Sequence, residues 1–314
     1  MNFGFNEEQE LLRSTARKFL ENECGSEMVR RLMATPEGMA ADLWKKIAEQ
    51  GWTGLIFPEE HGGMGLGIVD LTVLMEEMGR ASVPGPFFST VLLGGQTILE
   101  TGSEAQKKRW LPGIAAGDAR VALAWMEPSA TLGAGGIDLA AKTSGSGFAL
   151  TGTKLFVHDA HTADAIVVAA RTGGGAGEDG VSLFLVPRTA RGVEVKLLPT
   201  MDQTRKLCEV TLKGVTVPAE AVLGTVGGGW RPLSRVLDRA TVALCAEMCG
   251  GAQKVLDMTV EYAKIRQAFG KPIGSYQGVK HRAADMLVDV ENSKSITYYA
   301  AWAMDSTPRR ARWR

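Results

Sequence analysis

The sequence predicts a multidomain fold with segregated α and β parts. These are an N-terminal helical domain over 1–118, a small central β-barrel or sandwich over 119–226, and an incomplete C-terminal helical bundle over 227–305. An irregular basic tail over 306–314 follows. Three observations carry this reading. At 314 residues the chain is longer than one core usually serves, since single cores rarely grow past ~250–300 residues. Apolar residues recur at helical spacing in the first and last thirds, whereas the middle holds short β-like runs joined by glycine-rich connectors. The order helices, strands, helices implies separate α and β units and not a doubly wound sheet.

Taken in order, Asn6 followed by Gln9 has the form of a capping box, and Leu12, Ala16, Phe19 and Leu20 then repeat with a helical period. Leu43, Ile47 and Ala48 mark a second helix that Gly51 can end. Leu71, Leu74, Met75 and Met78 mark a third, with Glu76 and Glu77 expected on its wet side. Residues 87–111 add further helical stretches. Between the second and third helices, the glycines of Pro58 to Gly67 could be read as a phosphate loop. No β-branched strand feeds them, so a tight turn is the better reading.

Strand-like runs follow at Val121 to Trp125, Phe148 to Thr151, Ala165 to Ala170, Val181 to Val186, Val193 to Leu198 and Val210 to Leu212. After Gly227 to Gly229 the helical period returns through Leu237, Leu244 and Met248, then Val255, Met258 and Tyr262, and finally Met286, Val290 and Tyr298.

The bulk composition narrows the function. Hydrophobic residues are 45% and charged residues 22%, with 35 basic against 35 acidic side chains. That balance argues against nucleic-acid or membrane-surface binding. The four cysteines form no CxxC pair, and the sequence starts without a signal-like segment, so a reducing, cytoplasmic setting is expected. No apolar run approaches the ~20 residues of a membrane span. Cys245 and Cys249 share a helix face, but two ligands do not make a metal site, and packing is the expected role.

Five segments in one order resemble the acyl-CoA dehydrogenase family, and the resemblance runs from residue 3 to about residue 305. They are Pro58 to Leu66, Met126-Glu-Pro128, Leu150-Thr-Gly-Thr-Lys-Leu-Phe156, Asp202 to Arg205, and Arg266-Gln-Ala-Phe-Gly-Lys-Pro-Ile273 with Gln277. A glutamate at position 247 resembles the arrangement in the steroid-type, often heteromeric branch. The family resemblance implies FAD as cofactor, held where the β-domain meets the bundle and completed by a neighbouring subunit. Arg266, Phe269 and Gln277 match positions that reach the FAD of that neighbour, with Arg266 on the pyrophosphate. A guanidinium suits phosphate because its fixed fork of donors pairs with two oxygens and keeps its charge; a bare helix-end cation is the alternative. Trp125 and Met126 fall where family members touch the flavin ring. Phe156 takes the place of a flanking tryptophan, and His158 that of a threonine near flavin N5, with a polar loop role as its alternative.

Desaturating a thioester requires a base for the α-proton while the β-hydrogen leaves as hydride. The family's usual base lies in the last part of the chain, beyond where this sequence stops, and a second known location falls here at Ala240, which accepts no proton. Glu247 lies two turns later within Val242 to Gly251, among small and apolar residues. An apolar pocket raises a carboxyl's pKa toward the range useful for proton abstraction, so Glu247 is the candidate base. A surface glutamate, or one paired with Arg239 or Lys254, is the alternative.

The implied activity is therefore FAD-linked α,β-dehydrogenation of an acyl-CoA, with electrons passed to an electron-transfer flavoprotein, in a homo- or hetero-oligomer. A non-catalytic partner subunit and a flavin monooxygenase on the same fold are the competing readings. Family members normally continue with two further helices, so the sequence is expected to be C-terminally truncated. The tail Ser306 to Arg314 has the character of an altered reading frame or of a fragment's artificial end.

Overall fold

The computed structural model of the chain describes residues 4–173 and 175–306; the expected basic tail, from residue 307 onward, lies outside them. The helical first part consists of α1 (Glu7–Glu23), α2 (Ser26–Met33), α3 (Ala41–Glu49), α4 (Ile68–Ala81), a π-helix (Phe88–Gly95), α5 (Gln96–Thr101) and α6 (Glu104–Ala115). The β part holds β1 (Val121–Ala124), β2 (Ala140–Ser144), β3 (Gly147–His158), β4 (Ala165–Arg171), β5 (Val181–Pro187), β6 (Val193–Leu198), β7 (Leu207–Pro218) and β8 (Val222–Leu223). The last part is α7 (Trp230–Ile265), a small hairpin of β9 (Gln267–Ala268) and β10 (Lys271–Pro272), and α8 (Gln277–Ser306). The helical, β, helical architecture read from the sequence is thus the one observed. Among the described residues, no helix is long and apolar enough to cross a membrane.

One compact unit comprises residues 4–26, 67–83 and 241–306. Its first helix starts as expected: the Asn6 side chain accepts from Gln9 N at 2.8 Å while the Gln9 side chain accepts from Asn6 N at 3.1 Å. At the start of α4, Asp305 of α8 accepts from Ile68 N at 2.9 Å and Val69 N at 3.0 Å, a carboxylate at the positive end of a helix. Glu76 and Glu77 of α4 correct the sequence reading: both are buried. Glu77 receives two hydrogen bonds from Arg17, at 2.6 and 2.9 Å. Glu76 accepts from Tyr298 and pairs with Lys294 at 3.4 Å and Arg13 at 3.6 Å. A helical period marks these positions as polar, but the cations that allow their burial stand on other helices.

In α7 the intrachain contact face is made of small residues, Ala243, Ala246, Cys249 and Gly250, all buried. The large apolar residues of the sequence pattern, Met248, Val255, Met258 and Tyr262, are exposed. The period correctly marks a helix without saying which chain covers each stripe.

The second unit comprises residues 27–66 and 84–240. Its strands form one mixed sheet in the order β6-β7-β3-β2-β4-β5-β8, and β1 pairs in parallel with β4. The pairs β2/β3, β4/β5 and β6/β7 are antiparallel. Leu150, Val157, Ile166, Val168, Phe184, Val186, Val210 and Val215 belong to its core. The segment Pro58 to Gly67 is a turn, as expected. Its amides are consumed locally, Gly62 N by Glu59 O, Gly63 N by Pro58 O, Met64 N by Gly54 O and Gly65 N by Phe57 O, so they form no phosphate cradle.

Candidate functional site

The four β-domain residues singled out in the sequence come together at one end of the sheet. β1 ends at Ala124, and Trp125 and Met126 run on beside β3, where Leu155 N donates to Met126 O at 3.0 Å. Along β3 the pairing with β7 shifts between Lys154 and Val157. This bulge places Phe156 at φ 53° and turns it outward, 43% exposed. A left-handed phenylalanine is uncommon and marks a position the fold holds for a reason.

His158, two residues on, is half-buried. Its ring meets the Phe88 ring edge-on at 5.4 Å, and Arg205 lies over that same Phe88 ring, 4.6 Å from its centroid. Burial, reinforced by the Arg205 charge, pushes the imidazole pKa down to about 4. His158 is therefore neutral near pH 7, with one ring nitrogen able to donate and one to accept. Its Nδ1 is buried and has no hydrogen-bond partner among the described residues. His158 thus stands at the end of a strand and not in the loop of the alternative, a half-buried imidazole with spare bonding capacity at Nδ1. Asp159 beside it accepts from Ser89 Oγ at 2.7 Å, and burial holds its carboxyl above the usual range.

Glu247 lies in the other unit, on α7. Gly79 of α4 brings the two helices together there: a Cβ on Gly79 would fall 1.9 Å from Glu247 O, and one on Gly250 would fall 1.8 Å from Glu76 O. The backbone of Glu247 is thereby fixed. Its side chain is half-buried, less enclosed than its apolar sequence neighbours suggest, because Cys245 and Met248 beside it are exposed. Of the two alternative partners, Arg239 bonds Glu100 at 3.2 Å and Gln96 at 3.3 Å, and Lys254 is exposed.

Arg266, Phe269 and Gln277 bracket the β9–β10 hairpin in that same unit, and all three are exposed. Ile273 N donates to Arg266 O at 2.8 Å and Tyr276 Oη to Ala268 O at 2.9 Å, which closes the turn. Phe269 at its tip has φ 50° and is 96% exposed. An apolar ring held out at a rigid turn is poorly suited to water and well suited to another surface.

Sequence reasoning missed Lys154, Glu127, Arg205, Phe88 and Ser89. The signal for the first was present: a lysine inside an otherwise apolar strand pattern asks for a buried acid.

Comparison with known proteins follows the same order of parts. Family models described as the acyl-CoA dehydrogenase N-terminal, middle and C-terminal domains match residues 6–118, 122–215 and 227–312. A relative from Bacillus subtilis, the probable acyl-CoA dehydrogenase YngJ, is 30% identical over 312 residues, covering 97% of this chain and 81% of its own. The glutaryl-coenzyme A dehydrogenase structure in complex with glutaryl-CoA superimposes with a TM-score of 0.90 at 29% identity, over 97% of this chain and 78% of that one. The FAD complex of PigA gives a TM-score of 0.88 at 26% identity, over 97% of this chain and 81% of that one.

Proposed function

Because the chain belongs to the acyl-CoA dehydrogenase family of FAD-dependent oxidoreductases, we propose that it desaturates an acyl-CoA thioester with Glu247 as the base. The observation that carries the flavin part is the meeting of Trp125 and Met126 with Phe156 and His158 at one sheet end, including a buried imidazole nitrogen that lacks a partner among the described residues. These residues fit an aromatic cofactor edge. Phe156 offers a ring face, and neutral His158 offers one donor or acceptor without bringing a charge. Bound FAD supplies the hydride acceptor.

The protein's own part is to hold the thioester and take its α-proton. A carboxylate on a helix fixed by the Gly79–Gly250 crossing is suited to that task, because its backbone cannot drift. Arg266 serves the pyrophosphate of an FAD in a neighbouring subunit, with Phe269 and Gln277 beside it. The exposed Met248, Val255, Met258, Tyr262 and Ile265 of α7 support association with another chain, like or unlike, since contiguous apolar stripes of this kind mark interfaces. An electron-transfer flavoprotein is the proposed acceptor of the electrons.

The test is the variant Glu247→Gln. It is expected to purify yellow, with the wild-type flavin content, and to show no anaerobic bleaching of the flavin by acyl-CoA. Bleaching at the wild-type rate removes Glu247 from the mechanism, and product formation that depends on oxygen points to monooxygenation instead.

A further inference from the structure

The least expected group in the β-domain is Lys154. Its side chain is fully buried within a strand, a placement that costs several kcal/mol unless the charge is met by a partner. Its Nζ donates to Glu127 Oε1 at 2.6 Å and to Trp125 O at 3.2 Å. The same Glu127 oxygen accepts from Asp138 N at 3.0 Å and Leu139 N at 2.9 Å. The 134–139 turn that presents those amides is itself pinned by Arg171, whose guanidinium donates to Ala134 O at 2.6 Å and Ile137 O at 3.0 Å. Burial pushes the Lys154 pKa down to about 8 against the pull of Glu127, so the ammonium form prevails at pH 7.

Two further facts link this pair to the candidate site. Trp125, held through its carbonyl, begins the segment expected to touch the flavin. Lys154 is also the last residue in register before the bulge that turns Phe156 outward and brings His158 in. One buried ammonium thus ties together both strands of the cofactor wall. A pair that only filled the core could stand anywhere in the sheet, and replacing a buried ion pair with apolar side chains is often neutral or stabilising.

We propose that Lys154 and Glu127 are positioning residues that lock the Trp125–Met126 segment against the Phe156 bulge and thereby set the affinity and environment of the flavin. This rests on the flavin reading above. The test compares the wild-type protein, Lys154→Met, Glu127→Gln and the double variant Lys154→Met/Glu127→Met. Each is assayed for FAD dissociation constant, visible flavin spectrum and thermal midpoint.

The double variant leaves no unpaired charge, but it strands the Asp138 and Leu139 amides that Glu127 accepts, so it is expected to fold with a lowered midpoint. Its FAD affinity is expected to fall about tenfold, the worth of one charge-assisted hydrogen bond, with a shifted flavin band. Wild-type affinity and spectrum in a folded double variant overturn the proposal and leave the functional reading intact. If the double variant does not fold, Glu127→Gln decides. Its amide oxygen can still accept from Asp138 and Leu139, and it too is expected to bind FAD more weakly with a shifted band, an unchanged flavin being the contrary result. A wild-type protein that binds no FAD overturns both the flavin reading and this proposal.

Discussion

Substituting Gly79 by alanine tests whether the helix crossing fixes the base. The added Cβ falls 1.9 Å from Glu247 O and 2.6 Å from its carbonyl carbon, and real Cβ contacts do not come inside 3.0 Å. The two backbones must part there by the difference, about 1.1 Å. Alanine is the better helix former by ~1 kcal/mol, whereas overpacking a tight core costs ~1–3 kcal/mol. The net is a loss of up to about 2 kcal/mol, read as a lower unfolding midpoint.

The functional effect is larger, since displacing a catalytic group by about 1 Å can cost ~10²-fold in rate. Gly251→Ala is the control: its Cβ lies 3.7 Å from Gly79 O, an ordinary contact. It should be neutral or stabilising by ~0.5–1 kcal/mol and fully active. Urea unfolding and steady-state kcat at matched FAD content make the comparison. Wild-type kcat in a folded Gly79→Ala protein, or equal damage from Gly251→Ala, refutes the reasoning.

The Arg17–Glu77 pair is predicted to respond asymmetrically. Glu77 is 1% exposed and Arg17 42%, so Arg17→Ala strands a buried carboxylate at ~3–5 kcal/mol. Glu77→Gln leaves a hydrated guanidinium and costs ~1 kcal/mol; equal losses in denaturant unfolding contradict this. His158 gives a pH signature. Its folded pKa is depressed to about 4, so the unfolded chain binds more protons below the ordinary imidazole value of ~6.5. The stability it contributes is present above that value and is lost, by up to about 3 kcal/mol, as pH falls toward 4. His158→Gln should flatten that part of the stability–pH curve. Alkylation of the native protein should label Cys245 first, since it is exposed while Cys24, Cys208 and Cys249 are buried with thiols raised by burial. Mass spectrometry showing Cys208 modified first runs against the packing described.

What was legible in the sequence is what local chemistry sets. The α1 start follows from a reciprocal side-chain cap, and β4, β5 and β6 follow from apolar or alternating runs. The short α2 escaped because its apolar residues, Met28, Val29, Leu32 and Met33, span barely two turns, too short a run to establish a period, and β2 escaped because Ala140 to Ser144 holds no large apolar residue. Glu76 and Glu77 were placed on the wrong face because their partners Arg13, Arg17, Lys294 and Tyr298 are distant in sequence. At the candidate site, the types of Trp125, Met126, Phe156 and His158 pointed to a cofactor wall only through the family resemblance. The bulge that orients Phe156 depends on register between β3 and β7, and the ion pair behind it on the approach of β3 to the segment after β1, neither of which a single segment encodes.

The most direct test of the mechanism is exchange at the substrate's α-carbon. In heavy water with electron acceptor withheld, the wild-type protein should incorporate deuterium at that position of an acyl-CoA, followed by mass spectrometry. Glu247→Gln with normal FAD content should slow the incorporation by ~10²–10⁴-fold, the usual contribution of a positioned base. Exchange that persists undiminished in that variant contradicts Glu247 as the group that takes the proton.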